Sequence, residues 1–171
     1  MGNSAEIEGG PHPENRERPA VETKTLSADE FEKLIYKDGR SPDKRFVDPE
    51  RGGVFKYFDL SKLTERKMTK RDLFYPVVKF QDTIVGLSEL ERRPDETNVY
   101  WMTFLSIDPE YRGRGCASRL EEEVFKFAKE KGFAIESSGY SPEGWKKLKP
   151  LQNRLAEKYG VRFIDSEEII G

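Results

Sequence analysis

The order of the predicted elements indicates a mixed α/β fold, in which one sheet is covered by helices. Three strand-like runs, at residues 73–81, 83–91 and 98–107, follow one another with only short turns between them, as in an antiparallel meander. Beyond them, helix-like and strand-like stretches alternate, which favours a mixed sheet flanked by helices. A length of 171 residues suits one such domain.

The chain opens on a stretch that is poor in large apolar residues. Residues 1–20 are rich in Gly, Pro, Glu and Asn, a composition that predicts a disordered tail. We therefore expect a single domain over residues 21–171. Its first part is an extended run at 21–26, followed by a helix in which Ser27 is the N-cap and Glu30 completes a capping box.

The next part of the chain has weaker patterns. Apolar and aromatic residues at 54–60 predict a short strand. A basic run follows within 61–72 and comprises Lys62, Arg66, Lys67, Lys70 and Arg71. We interpret this run as a solvated helix face or loop, with an acidic partner as the alternative.

The meander contains the strongest strand signals. Gln81 and Asp82 form the tight connection of a hairpin, and Pro76 predicts an edge strand or a bulge. Residues 98–107 are the longest apolar run and predict a central strand buried on both faces.

Two helices are predicted in the remainder of the chain. The first begins at Arg114 or Gly115 and ends at Gly132. Its polar residues are expected to face water: Glu121, Glu122, Glu123 and Lys126. The second runs from the Ser141 cap to Tyr159, with a kink expected at Pro150. Short strands are predicted at 133–138 and 161–165.

Composition excludes several classes of function. The single cysteine, Cys116, forms no intrachain disulfide, and with the single histidine, His12, it argues against a zinc site or a histidine-based catalytic device. Thirty basic residues against 32 acidic ones give a net charge of −2, which argues against a general nucleic-acid binder. The longest uncharged stretch is about half of what a membrane span needs. We expect an intracellular, cytoplasmic protein without a metal.

The segment 107–120, IDPEYRGRGCASRL, joins a strand, a glycine-rich turn and a helix start. Gly113 and Gly115 leave room for backbone N–H groups to converge on phosphate oxygens, and the helix dipole adds positive charge there. Arg112 and Arg114 supply charge-assisted bonds to a pyrophosphate. The sequence therefore predicts an anion site at this helix start.

The spacing within this segment distinguishes among nucleotide-like ligands. A Gly-Lys-Ser/Thr ending is missing, and Ser118 stands where a dinucleotide fingerprint has its third glycine. The pattern Arg-Gly-x-Gly-x-Ala, preceded by Ile-x-Pro-x-Tyr and followed by Leu120, resembles the acetyl-coenzyme A motif of the GNAT superfamily of N-acetyltransferases. The resemblance covers residues 73–164.

The resemblance implies a mostly antiparallel mixed sheet whose central strands splay apart around the cofactor, acetyl-CoA. It also implies that Ser106 and Ile107 offer backbone groups to the pantetheine. The pyrophosphate is expected at Arg112, Gly113, Arg114, Gly115, Cys116, Ala117 and Ser118. Asn153 matches a family asparagine and is counted with these residues, whereas the Cys116 thiol is expected to pack rather than to react.

The catalytic residues follow the motif less directly. For the base we favour Glu89, on the hairpin strand beside the central one; a surface carboxylate is the alternative, and Glu91 and Glu136 are rivals. The family places a tyrosine acid where this chain has Gly160. Tyr159 is our candidate in its place, Tyr140 is the second, and the absence of a tyrosine acid is the third.

The function implied is direct transfer of an acetyl group from acetyl-CoA to an amine of a protein or a small molecule. A non-catalytic module with the same fold is the alternative, and nucleic-acid association through residues 62–71 is a third. We expect acetyl-CoA and an amine acceptor as partners and no membrane, and a homodimer is left open.

Overall fold

The structure is a computed structural model that describes residues 21–37, 39–47, 55, 57–64 and 72–166. The predicted tail at residues 1–20 lies outside this range. The elements in chain order are β1 Val21–Ser27, α1 Ala28–Ile35, α2 Lys44–Val47, α3 Ser61–Thr64, β2 Leu73–Phe80, β3 Thr83–Arg92, β4 Val99–Ile107, a 3-10 helix Pro109–Tyr111, α4 Cys116–Lys131, β5 Ala134–Ser137, α5 Pro142–Tyr159 and β6 Phe163–Ile164.

The six strands form one sheet in their chain order. Strands β1 to β4 are antiparallel neighbours, whereas β4, β5 and β6 are parallel. The predicted mixed sheet with mostly antiparallel pairing is therefore confirmed. The edge position predicted from Pro76 is wrong, because β2 pairs with β1 on one side and β3 on the other. The irregularity of β2 lies between Val78 and Lys79 instead.

The sheet opens between β4 and β5. Strands β4 and β5 pair only from Val99–Ala134 to Met102–Ser137, and no β5 pairing is described beyond Met102. On the other side of β4, Glu89 pairs with Phe104 and Leu90 with Met102, so Thr103 is the extra residue of a bulge. The C-terminal half of β4 thus borders a gap in the sheet.

Capping residues set the helix boundaries as the sequence predicts. The Ser27 side chain accepts the Glu30 N–H at 3.2 Å at the start of α1, and the Ser141 side chain accepts the Gly144 N–H at 3.1 Å at the start of α5. Gly132 ends α4 with φ +75°, a conformation that glycine adopts without a Cβ penalty. Helix α5 runs through Pro150 as one helix.

The strand predicted at residues 54–60 is wrong for the residues that the structure describes. Phe55 and residues 57–60 lie in no strand. Phe55 and Phe58 are buried instead, where they pack with Phe31, Phe46 and Tyr75 beneath β2. The apolar pattern of this segment therefore reflects a loop that closes the core.

Two expectations of burial are also corrected. Trp101, Thr103 and Leu105 of β4 are partly exposed. Thr103 and Leu105 border the gap, whereas Trp101 still pairs with Glu136 of β5. Glu121 was expected to face water, but it is 0 % exposed, because its carboxyl group lies against Gln152 of α5. Of the basic run, Lys62 is described, and residues 66–71 lie outside the described range.

Candidate active site

Two adjoining cavities lie where β4 and β5 separate. The first has a volume of about 520 Å³ and lies between the end of β4, the loop before α4 and the start of α5. The second, about 540 Å³, continues along β4 toward β5. Both are lined by Tyr57, Leu105, Ser141, Gly144 and Leu148. The two cavities therefore form one cleft.

The first cavity ends at the N-terminus of α4. Gly113 and Gly115 have φ angles of +74° and +78°, which turn the chain sharply before the helix. The first bond of α4 runs from the Arg119 N–H to the Gly115 carbonyl at 3.2 Å, and no side chain caps the helix. The N–H groups of residues 116–118 thus have no acceptor within the helix. This end of the cleft suits an anion.

A buried aspartate holds the loop in place. Asp108 is 7 % exposed; its Oδ1 accepts the Glu110 N–H at 3.0 Å and its Oδ2 accepts from the Arg45 guanidinium at 2.8 Å. Its own N–H donates to the Val85 carbonyl at 2.8 Å. These bonds tie the loop to the sheet and to α2.

Most of the residues expected to bind the cofactor line the first cavity. They are Ser106, Ile107, Arg112, Gly113, Gly115, Cys116, Ala117 and Ser118. Two of the expected residues do not line it. The Arg114 guanidinium lies 5.3 Å from the centre of the Tyr111 ring, and the Asn153 amide donates to the Lys149 carbonyl and to Asp165.

Sequence reasoning missed the wall contributed by α5. Lys147 lines the first cavity and pairs with Glu143 at 2.8 Å, and Leu148 lines both cavities. The spacing of Ser141, Gly144 and Leu148 puts them on one helix face, and this spacing could have predicted the α5 wall. Tyr57, an aromatic residue that the sequence assigns to the core or the cleft wall, is 67 % exposed and lines both cavities.

Glu89 lies behind the second cavity and not on its surface. It is 1 % exposed, and its Oε1 accepts from Lys62 Nζ and from Thr103 Oγ1, each at 2.7 Å. Its Oε2 accepts from the Tyr75 hydroxyl at 3.0 Å. Thr103 does line the second cavity, so its hydroxyl links the cleft to the Glu89 carboxylate.

The partners of Glu89 keep their protons. Burial would lower the pKa of Lys62, but its bonds to Glu89 and to Glu91, the latter at 3.0 Å, outweigh this and raise it. Burial raises the pKa of Tyr75 far above its usual value, and the neighbouring Glu89 charge adds to this. A cation and two hydroxyl donors thus surround the carboxylate.

The rivals of Glu89 are placed elsewhere. Glu91 bonds to Lys62, and Glu136 forms two bonds to the Arg93 guanidinium, at 2.6 and 2.7 Å. Neither lines the first or the second cavity.

The structure does not bring Tyr159 to the cleft. Its hydroxyl donates to Glu122 at 2.6 Å, and it lines a separate cavity of about 410 Å³ together with Asn98 and Gly160. Tyr140 lines the second cavity and is 4 % exposed. Of the two tyrosines weighed from the sequence, Tyr140 therefore lies at the cleft.

Glu121 is an unforeseen member of the second cavity wall. Its Oε1 accepts from Gln152 Nε2 at 2.8 Å, and its Oε2 has no partner among the described residues. Burial raises the pKa of Glu121 to about 8, against a smaller lowering by Gln152. Glu121 lies four residues from both Ala117 and Phe125, so the three share a helix face. This spacing could have predicted that Glu121 is buried.

In the described part of the chain, no three His, Cys, Asp or Glu side chains gather to hold a metal ion. No helix built from the described residues is both long and apolar enough to cross a bilayer.

This sheet, the cleft at its opening and the glycine loop at a helix start define an acetyltransferase fold. The profile of the GNAT acetyltransferase family matches residues 33–138. The chain belongs to this family and is an acyltransferase by that membership. A comparison with curated proteins finds no match.

Solved structures share this fold at low sequence identity. A GNAT-family protein from Desulfovibrio desulfuricans is 15 % identical over 79 % of this chain and 83 % of its own, with a TM-score of 0.51. A protein described as an N-acetyltransferase from Lactobacillus plantarum is 19 % identical over 77 % and 82 %, with a TM-score of 0.52. The ribosomal-protein-S18-alanine N-acetyltransferase of Escherichia coli is 10 % identical over 80 % and 76 %, with a TM-score of 0.50.

Proposed function

We propose that this chain is an acetyl-CoA-dependent N-acetyltransferase that transfers the acetyl group directly to an amine of a protein or small molecule. The observation that carries the proposal is the uncapped N-terminus of α4, which opens onto a cleft continuous with the gap between β4 and β5. A long ligand with an anionic end fits this shape.

The first cavity supplies the groups that a pyrophosphate needs. The free N–H groups at residues 116–118 and the α4 dipole favour an anion, and Arg112 and Lys147 line the same cavity with positive charge. The pantetheine arm would follow the end of β4 at Ser106 and Ile107. The acetyl group would then reach the second cavity, near Thr103.

Thr103 and Glu89 supply a route for the proton of the amine. An amine of pKa near 10.4 is mostly protonated at neutral pH, so it must lose a proton before it attacks. The amine proton passes to Thr103 Oγ1 while the Thr103 proton passes to Glu89 Oε1, which lies 2.7 Å away. The amine nitrogen then bonds to the acetyl carbonyl carbon. The carbon–sulfur bond breaks with its electrons on sulfur, and the second amine proton passes to that sulfur, which leaves the amide and the free coenzyme A thiol.

Backbone and tyrosine groups stabilise the charges that develop. The bulge at Thr103 and the lack of a β5 partner beyond Met102 leave β4 backbone groups available to an oxyanion. The Tyr140 hydroxyl lines the same cavity, and burial raises its pKa above the usual value. It therefore stays protonated and donates a hydrogen bond to the departing thiolate.

Release of free coenzyme A thiol tests the proposal. The protein is mixed with acetyl-CoA and, in turn, with a peptide amino terminus, a lysine peptide, a polyamine and an aminoglycoside. Glu89→Gln is expected to lower kcat about 100-fold, within the usual range for loss of a general base, whereas Glu91→Gln, outside the cleft, serves as the matched control. Binding of acetyl-CoA without thiol release for any amine would instead favour a non-catalytic module.

A further inference from the structure

Four polar side chains form a continuous row along the wall of the second cavity. Glu121 Oε1 lies 2.8 Å from Gln152 Nε2, and Gln152 Oε1 lies 2.6 Å from the Tyr140 hydroxyl. The same hydroxyl lies 2.9 Å from Asp165 Oδ1. The first three residues line the cavity and are each at most 4 % exposed.

The three contacts cannot all be hydrogen bonds if both carboxyl groups are ionised. The Tyr140 hydroxyl has one hydrogen and faces two acceptor oxygens, Gln152 Oε1 and Asp165 Oδ1, while its own oxygen also accepts from the Ser137 hydroxyl. Reversing the Gln152 amide lets its NH₂ group donate to Tyr140, but its oxygen then faces a Glu121 oxygen. One additional proton, on either Glu121 or Asp165, gives every contact a hydrogen.

The surroundings place this proton on Glu121. Asp165 is 23 % exposed and lies 3.4 Å from Lys149 Nζ, so its negative charge is solvated and paired. Glu121 is 0 % exposed, and burial is the dominant influence on its pKa, which is raised to about 8. An unpaired charge at such a position is costly.

Other charged groups near this row are engaged elsewhere. On α4, Glu122 accepts from Lys158 and Tyr159, and Glu123 accepts from Thr25. On α5, Lys149 faces Asp165. From β4 and β5, the cavity wall receives Met102, Thr103 and Ser137, which carry no charge.

We propose that Glu121 is a neutral carboxylic acid that acts as a positioning residue: through Gln152 it keeps the Tyr140 hydrogen available to the cleft. This inference rests on the proposed function. The Glu121 hydroxyl donates to Gln152 Oε1, and the Gln152 NH₂ donates to Tyr140. Tyr140 therefore accepts from Gln152 and can donate to Asp165 or to a thiolate in the cavity.

Ionisation of Glu121 reverses the direction of the hydrogen bonds along the row. An ionised carboxylate can only accept hydrogen bonds, so the Gln152 NH₂ group then donates to Glu121. Gln152 Oε1 in turn accepts the hydrogen bond from the Tyr140 hydroxyl. No hydrogen is left for the departing sulfur. Turnover should therefore fall as the pH rises through the pKa of Glu121, near 8.

The dependence of stability on pH tests the proton without any substrate. The folded-state pKa of Glu121 is raised, so its contribution to stability is full below about pH 4.5 and is lost as pH rises to about 8. The urea midpoint of the wild type should fall more between pH 5 and pH 8 than that of Glu121→Gln. The exposed Glu130→Gln, on the same helix, should follow the wild type. Parallel curves for the wild type and Glu121→Gln would overturn the proposal.

The rate of thiol release against pH tests the positioning role. Wild-type kcat should fall roughly tenfold per pH unit above the pKa, whereas Glu121→Gln, whose amide can donate to Gln152, should retain turnover there. Glu121→Leu is also neutral but cannot bond to Gln152, and it should lose turnover at every pH. Equal pH profiles for Glu121→Gln and the wild type, or equal turnover for the Gln and Leu variants, would contradict the role. The urea measurement stands even if the chain transfers no acetyl group.

Discussion

Glu89 shows how much a single carboxylate depends on its donors. It is 1 % exposed and has one cationic partner among the described residues, Lys62, whose side chain is 29 % exposed. An ammonium that is removed from such a pair leaves a buried charge that only neutral hydroxyl groups solvate.

We predict that Lys62→Met, which retains the aliphatic stem, lowers the free energy of unfolding by about 3 kcal/mol. Chemical denaturation at pH 7 measures this loss. The combined variant Lys62→Met and Glu89→Gln should be more stable than Lys62→Met alone, because the unpaired charge is then gone. If the combined variant were the less stable of the two, the ion pair would not be the source of the effect.

The sequence predicts the surroundings of a single residue correctly where its neighbours in the chain determine those surroundings. The glycines at 113 and 115 and the small residues after them were recognisable because the turn and the helix start are local. The local pattern predicts a solvated Lys62 and a Glu121 that faces water. Both errors arise because the partners, Glu89 and Gln152, are 27 and 31 residues away in the chain.

At the scale of elements, the two serine caps provide a matched comparison. Ser27 and Ser141 each accept one N–H at the start of a helix, but only Ser141 also lines the cleft. The loss of either cap should therefore cost similar stability, and only one loss should change the site.

We expect Ser27→Ala and Ser141→Ala each to lower the free energy of unfolding by about 1 kcal/mol. Only Ser141→Ala should weaken acetyl-CoA binding, since the first turn of α5 forms the wall shared by both cavities. Denaturation curves and calorimetric titration measure the two effects. Equal weakening by both variants would mean that global stability, and not the cavity wall, controls binding.

Element types and caps were largely predictable, and strand partners were less so. Ser27, Gly132, Ser141 and Gly160 mark helix ends through local backbone chemistry. Pro76 misled because a proline signals a missing donor and does not reveal which neighbour strand lies on that side. Phe55 and residues 57–60 misled because aromatic residues that close a core have the composition of a strand.

For the whole molecule, the site arises from the way the sheet opens. Pairing between β4 and β5 ends at Met102, and the cleft begins there, bounded by α4 on one side and α5 on the other. The sequence showed the motif that lies at one end of this cleft. It marked Tyr57 and Tyr140 as candidates near the cleft but did not show Leu148, because that part of the wall exists only once α5 packs across the gap.

The central claim is that the cleft at the start of α4 binds acetyl-CoA, and calorimetric titration tests it most directly. The variant Ser118→Asp places a negative charge beside the free N–H groups, yet an aspartate in the first turn of a helix favours folding. Asn98→Asp adds the same charge at the distant cavity that contains Tyr159. We predict that the wild type and Asn98→Asp bind acetyl-CoA alike and that Ser118→Asp binds at least tenfold more weakly, about 1.4 kcal/mol. No binding by the wild type, or equal binding by all three proteins, would contradict the account.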